Sequence, residues 1–107
     1  MKAMYRLKKN EDFAFTVKKG TAKRNSSFVV HKVKNELSHA RVGISVSSKL
    51  GCAVTRNRIK RQMRAMIGEL IDFESIQFDI LVIAKSDFLN KTYQENKELL
   101  AQLLSQR

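Results

Sequence analysis

An α+β fold, with helices packed on a small sheet, is the architecture that this 107-residue chain predicts. Three observations lead to it. Helical periodicity returns in three separated stretches, period-two alternation lies between the first and second, and a short apolar run rich in Ile and Val precedes the third. The order reads α-β-β-α-β-α, with room for one further strand beside the first two. It describes a two-layer α/β sandwich in a single domain over residues 1–107.

The first helix is NEDFAFTVKKG (10–20). Asn10 is placed to cap it, Glu11 and Asp12 suit the positive end of the helix, Lys18 and Lys19 suit its last turn, and Gly20 stops it. Phe13 and Val17, four residues apart, then share a face. SSFVVHKV (26–33) and ARVGISVS (40–47) read as strands joined through the turn NELSH. In the second, Val42, Ile44 and Val46 alternate with Arg41, Gly43, Ser45 and Ser47, so that one side is apolar and the other small or polar. CAVTRNRIKRQMRAMIGEL (52–70) returns to a helical period, with Ile59, Met63, Met66 and Leu70 as its stripe toward the sheet. FDILVIA (78–84) is short and almost wholly apolar, a strand covered on both faces. Residues 92–107 form a last amphipathic helix through Leu99, Leu100, Leu103 and Leu104. No proline interrupts any of these elements, and no repeat or low-complexity linker divides them.

Composition narrows the function classes. No apolar run approaches the roughly 18 residues that a membrane helix needs, and MKAMYRLKKNEDF lacks the apolar stretch of a secretory signal, so the expected compartment is the cytoplasm. One cysteine, Cys52, cannot form an internal disulfide. With two histidines, His31 and His39, no zinc-type ligand set is expected. The net charge of +11 is unevenly distributed: residues 1–64 hold 17 Lys and Arg against 3 Asp and Glu, and the remainder hold 4 against 7. Solubility alone does not require acids to be kept so thoroughly out of one part of a chain. A polyanion is the expected partner, either nucleic acid or an anionic membrane surface.

Two constellations give that charge a place. In TRNRIKRQMR (55–64), Arg56, Lys60 and Arg64 follow one another at four-residue intervals as one ridge beside the apolar stripe; Asn57 and Arg61 lie on its flank and Arg58 furthest round. Ridge neighbours are roughly 5–6 Å apart at Cβ, and like charges at that spacing repel unless an anion fills them. The second constellation is a groove between the first helix and the sheet, where Phe13, with Phe15 or Val17, faces Val29 and His31 and offers surface on which unpaired bases can stack. Aromatics at helical spacing are more often core than platform, so this signal is the weaker of the two. A catalytic constellation is missing: the two histidines have no cue to converge, and Cys52 at a helix start has no evident base, which makes it a small core or cap residue.

Taken together, RVGISVSSKLGCAVTRNRIKRQMR (41–64) resembles the signature of the protein subunit of bacterial ribonuclease P, and LKKNEDF (7–13) resembles the N-terminal segment of that family. The resemblance extends over nearly the whole chain. It implies the ribosomal-protein-S5-domain-2-like fold, shared with a domain of elongation factor G, in which a left-handed βαβ crossover surrounds the long helix. It implies an accessory role in a ribonucleoprotein whose RNA is the catalyst and uses Mg²⁺, bound mainly by that RNA, to release the 5′ leader of precursor tRNA. By the same resemblance Arg56, Asn57, Arg58, Lys60, Arg61 and Arg64 contact the catalytic RNA in a 1:1 complex. Phe13, Val17, Val29 and His31, with Ser47 and Lys49 nearby, match the groove that holds the single-stranded leader. No catalytic residue, no membrane and no small-molecule substrate belong to that picture.

Four positions depart from the family pattern. An aromatic is frequent where His31 stands, a bulkier or aromatic residue where Val17 stands, asparagine where Cys52 stands and lysine where Ser48 stands. Phe15 is available to compensate for the first two. Composition alone also admits a generic RNA-binding or ribosome-associated module of the same fold, and an autonomous nuclease is the remaining alternative.

Overall fold

Side-chain parity along the strands decides which layer covers which face of the sheet. The computed structural model describes residues 3–105. Its elements are α1 (Asn10–Lys19), β1 (Thr21–Arg24), β2 (Phe28–Lys34), β3 (Arg41–Val46), α2 (Ala53–Leu70), β4 (Phe78–Ala84) and α3 (Tyr93–Ser105). The four strands lie in the order β1-β2-β4-β3, antiparallel except for β3 beside β4, whose parallel pairing requires the crossover through α2.

Phe28 and Val30 of β2, Val42 of β3, and Ile80 and Val82 of β4 point to one face. Ile59, Met63, Met66 and Ile67 of α2, with Leu100 and Leu103 of α3, close over them. At about 1.5–3 kcal/mol for each fully buried aliphatic side chain, this layer is the main source of stability. A polar clamp anchors α3 to it. The Ser27 hydroxyl donates to Asn96 Oδ1 at 2.7 Å, Asn96 Nδ2 donates to the Phe88 carbonyl at 3.0 Å, and Asn25 Nδ2 donates to the Leu99 carbonyl at 2.9 Å.

On the opposite face lie Val29, His31 and Val33, then Asp79, Leu81 and Ile83, then Arg41, Gly43 and Ser45. α1 crosses this face, with Leu7 beside its start over Gly43, and two contacts fix the path of the helix. Arg41 donates to both oxygens of the buried Asp79, at 3.0 and 2.6 Å, and reaches Asp12 of α1 at 3.4 Å. One turn on, the Phe13 ring stands over Gly43 so closely that a Cβ there would lie 2.4 Å from its Cε1. At the far end of α1 a Cβ on Gly20 would lie 2.4 Å from the Thr16 carbonyl oxygen and 2.7 Å from that of Lys32. Gly20 therefore ends the helix by close approach to β2, with an ordinary φ of −79° and no left-handed turn.

Two expectations need correction. Asn10 is the first helical residue and not the cap; Lys9 holds that position without a side-chain bond to the helix. The chain arrives there from Leu7, whose N–H donates to the Val42 carbonyl at 3.0 Å, and this edge pairing sets where α1 starts. The strand expected from residue 26 begins at Phe28, because Asn25 Oδ1 accepts from the N–H groups of Ser27 and Phe28 and folds the preceding residues into a turn. That turn joins β2 to β1, the further strand for which the segment order left room.

The Arg41–Asp79 pair is expected to be worth far more than a surface ion pair. Asp79→Ala leaves the Arg41 guanidinium, about a quarter exposed, without its partner. A loss of about 2–4 kcal/mol is expected, somewhat under the fully buried case, read as a lower midpoint of urea unfolding. A loss under 1 kcal/mol would show the pair to be ornamental.

Candidate nucleic-acid interface

The ridge on α2 exists because the helix buries a narrow stripe. With Ile59, Met63, Met66 and Ile67 turned to the sheet, Arg56 and Lys60 fall at the edge of the buried face and Arg64 in solvent, in line along the flank nearest β3. Asn57 and Arg61 are exposed on the outward side. Arg58 is separated from the ridge. It turns to the opposite flank, where it lines a cavity with Gln62, Phe88, Leu89 and Lys91. The ion pairs of the described residues engage Arg41, Lys91 and Lys97, and none engages a cation of TRNRIKRQMR. Arg56 Nε is buried without a hydrogen-bond partner among the described residues.

The groove follows from where α1 lies. Because Asp12 on one flank of the helix reaches Arg41, the opposite flank, which carries the half-exposed Val17, faces the Ser45 end of the sheet. The row Ser45, Ile83, Val29 and Arg24 runs across all four strands in register and is not crossed by α1. His31 lies one row further in, between Ala22 and Leu81, half-buried, with Nδ1 lacking a partner among the described residues. It sits in the middle of β2. Val29 and His31 thus lie on the face of the sheet that α1 crosses, and Phe13 and Val17 lie on the flank of α1 away from Asp12. Ser47 and Lys49 lie beyond the β3 end of that face, and the Ser47 hydroxyl already accepts the Lys49 N–H at 3.2 Å within the short 3-10 helix Ser48–Leu50.

Ridge and groove meet. Arg64 from α2 and Phe13 from α1 line one open cavity of about 290 Å³, with Leu7, Val42, Gly43 and Ile44 as its apolar floor and Arg6 and Lys8 on its rim. The N-terminal segment is held there by Leu7 on Val42 and by Tyr5, which stacks on Phe73 at 4.7 Å and donates its hydroxyl to Glu74 at 3.2 Å. An apolar floor under three cations suits a nucleotide, whose base is flat and apolar and whose phosphate is an anion.

Several of these residues were not singled out from the sequence. Arg6 and Lys8 look like tail charge until Tyr5 and Leu7 are seen to dock. Ile83 belongs to an apolar run that gives no sign of which face each residue takes, whereas the alternation of Gly43 with Ser45 did carry that signal. Lys85 was also missed; its Nζ donates to the Asn25 carbonyl at 2.9 Å, bringing a charge toward β1. Cys52 is exposed and not in the core, at the cap position of α2 with Sγ 3.7 Å from the Thr55 hydroxyl. Among the described residues no group of three or more His, Cys, Asp or Glu is placed to hold a metal ion.

Comparison with known proteins agrees along the whole chain. The sequence model of the Ribonuclease P family matches residues 1–107. A ribonuclease P protein component from Listeria welshimeri is 42% identical over 105 residues, covering 97% of this chain and 88% of its own. Among solved structures, a Staphylococcus aureus RNase P protein mutant with defective mRNA degradation activity superposes with a TM-score of 0.86 at 40% identity, covering 94% of this chain and 86% of that one. The RNase P protein from Thermotoga maritima bound to 1-(4-fluorophenyl)-2-thiourea superposes with a TM-score of 0.83 at 33% identity, covering 95% and 99%. With its sheet order, its basic helix and its full-length match to these relatives, the chain belongs to the family of bacterial ribonuclease P protein components.

Proposed function

We propose that this protein is the accessory subunit of a ribonucleoprotein endonuclease that removes the 5′ leader of precursor tRNA. Its ridge binds the catalytic RNA in a 1:1 complex and its groove binds the single-stranded leader. The observation that carries this reading is the shared cavity of Phe13 and Arg64, where the cationic helix meets the first helix and the edge strand β3. A duplex-only binder has no use for its apolar floor, whereas unpaired nucleotides need one. Chemistry in this reading belongs to the RNA and its Mg²⁺. The protein supplies cations where two polyanions must approach, which lowers the Mg²⁺ required, and leader contacts favour substrate over product because mature tRNA has lost the leader. The work belongs in the cytoplasm, where tRNA precursors are made.

Reconstitution tests it: precursor tRNA, a bacterial ribonuclease P RNA and this protein at low Mg²⁺, each omitted in turn. Leader release is expected only with RNA and protein together. The omission of RNA matters because a Staphylococcus aureus relative is described by an mRNA degradation activity; cleavage by this protein alone would overturn the division of labour proposed here.

The ridge is tested by salt. Lys60→Ala and Arg64→Ala are each expected to weaken binding to the catalytic RNA and to shallow the slope of log affinity against log salt by about 0.9. An unchanged slope would mean that these side chains meet only water. For the groove, Phe13→Ala is expected to cost about 1–3 kcal/mol in affinity for leader-bearing precursor, the scale of one stacked base, with little change for mature tRNA. Because Phe13 also packs on Gly43, a melting curve must accompany the measurement. Equal losses for precursor and mature tRNA would sink the leader reading.

A further inference from the structure

The flank of α2 opposite the ridge carries a cavity for which the ridge and the groove give no occupant. It has a volume of about 170 Å³, opens to solvent, and is lined by Arg58, Ile59 and Gln62 of α2 and by Phe88, Leu89 and Lys91 from the short 3-10 helix Ser86–Asn90 and its cap. Ile59 and Phe88 are buried and form the floor. The Phe88 ring stands edge-on to Phe28 at 5.6 Å between centroids, so the floor is fixed to the core. Leu89 is at the rim with 45% of its surface exposed. A lone apolar side chain on a surface is ordinary, but this one shares its cavity with two cations and an aromatic floor.

The polar groups suit a single nucleotide. Arg58 is exposed and takes part in none of the ion pairs of the described residues, whereas Lys91 reaches the half-exposed Asp87 carboxylate at 3.4 Å. Two cations against one carboxylate leave one positive charge, enough for one phosphate. The Gln62 amide, one turn on from Arg58, has both a donor and an acceptor for the edge of a base. The cavity is also continuous with the basic face of the helix. Asn57 and Arg61 stand exposed between it and the ridge, and residues 53–68 contain no Asp or Glu. A helix with its side chains is about 10–12 Å across, so RNA seated on the outward face of α2 meets both flanks.

We propose that the catalytic RNA, lying over the outward face of α2, places one unpaired base in this cavity, packed on Leu89 and read at its edge by Gln62, with the adjoining phosphate at Lys91. This rests on the reading of α2 as the anchor for that RNA. A contact of Arg58 with the RNA already belongs to that reading; Leu89, Gln62 and Lys91 do not. They turn an attachment made by charge, which is indifferent to sequence and pairing, into one that selects an unpaired nucleotide at a fixed place. The base must be unpaired, because a base inside a duplex cannot bring its face onto a side chain.

The test measures binding of the full chain to a bacterial ribonuclease P RNA, without tRNA, over a range of salt, together with chemical probing of the Watson–Crick edges of all four bases in the complex at saturating protein. Leu89→Ser is expected to weaken binding about five- to tenfold, the lower end of the range for one stacked base, and to leave the salt slope unchanged. Lys91→Gln is expected to flatten that slope by about 0.7, the value for one contact to an unpaired strand. One unpaired base is expected to be shielded by wild type and reactive in the complexes of Leu89→Ser and Gln62→Ala. Leu37→Ser, at an exposed leucine in the turn between β2 and β3, is expected to change neither affinity nor shielding. Wild-type affinity and shielding in Leu89→Ser, an equal loss in Leu37→Ser, or weaker binding with every base still shielded as in wild type would overturn the proposal. So would a wild-type complex that shields no unpaired base. A wild-type protein that fails to bind the catalytic RNA would overturn the anchoring role of α2 itself, and this inference with it.

Discussion

Asp79 stands in a strand that is otherwise apolar and is nearly fully buried, a position a carboxylate tolerates only when its charge is met. Arg41 meets it with two parallel hydrogen bonds, and Asn35 donates a third at 2.9 Å. The remaining guanidinium nitrogen turns upward to Asp12. One ion pair thus ties the parallel strands β3 and β4 to each other and to the start of the helix above them. The planar fork of arginine is what makes this possible, since a lysine could not bond both oxygens and still reach a second carboxylate in fixed geometry. The path of α1, and hence the width of sheet it leaves open, depends on this contact.

The uncovered strip is a cost that the fold accepts. A sheet face that one short helix covers only in part leaves Ile83 and Val29 partly exposed and Val17 half-exposed, and a fold under pressure for stability alone would bury them. The cationic helix is a second cost of the same kind, because its like charges repel one another and no described carboxylate relieves them. Both are unfavourable in the free protein and favourable once a polyanion with unpaired bases is present. Interactions of this sort couple the stability of the domain to its ligand, so the free protein is less stable than the complex by the binding free energy at the prevailing RNA concentration.

Much of this was legible in the amino-acid order, and the failures have physical causes. The α2 ridge could be placed residue by residue because 3.6-residue periodicity determines azimuth, and the stripe of Ile59, Met63 and Met66 fixed its origin. The alternation of β3 was equally readable. β1 was not, because TAKR is a four-residue edge strand whose exposed side chains carry no pattern; its existence is decided by backbone pairing with β2. Nor could sequence reveal that Arg41 and Asp79 would meet, since 38 positions separate them. The docking of Tyr5 on Phe73 is of the same type: a long-range contact turns what reads as a basic tail into one wall of a cavity. The Ser47 hydroxyl, conversely, was expected near the groove and is engaged locally.

The strand order has a bearing on how the protein is made. β4, contributed late in the chain, lies between β2 and β3, which were synthesised earlier and do not touch each other. A nascent chain that has emerged only through α2 therefore holds a β1–β2 hairpin and a separate β3 with nothing to join them. The basic helix is complete at that stage, while the platform has no floor. The charged ridge is thus complete before the sheet is, and the interval ends only when FDILVIA inserts and closes the sheet from its centre.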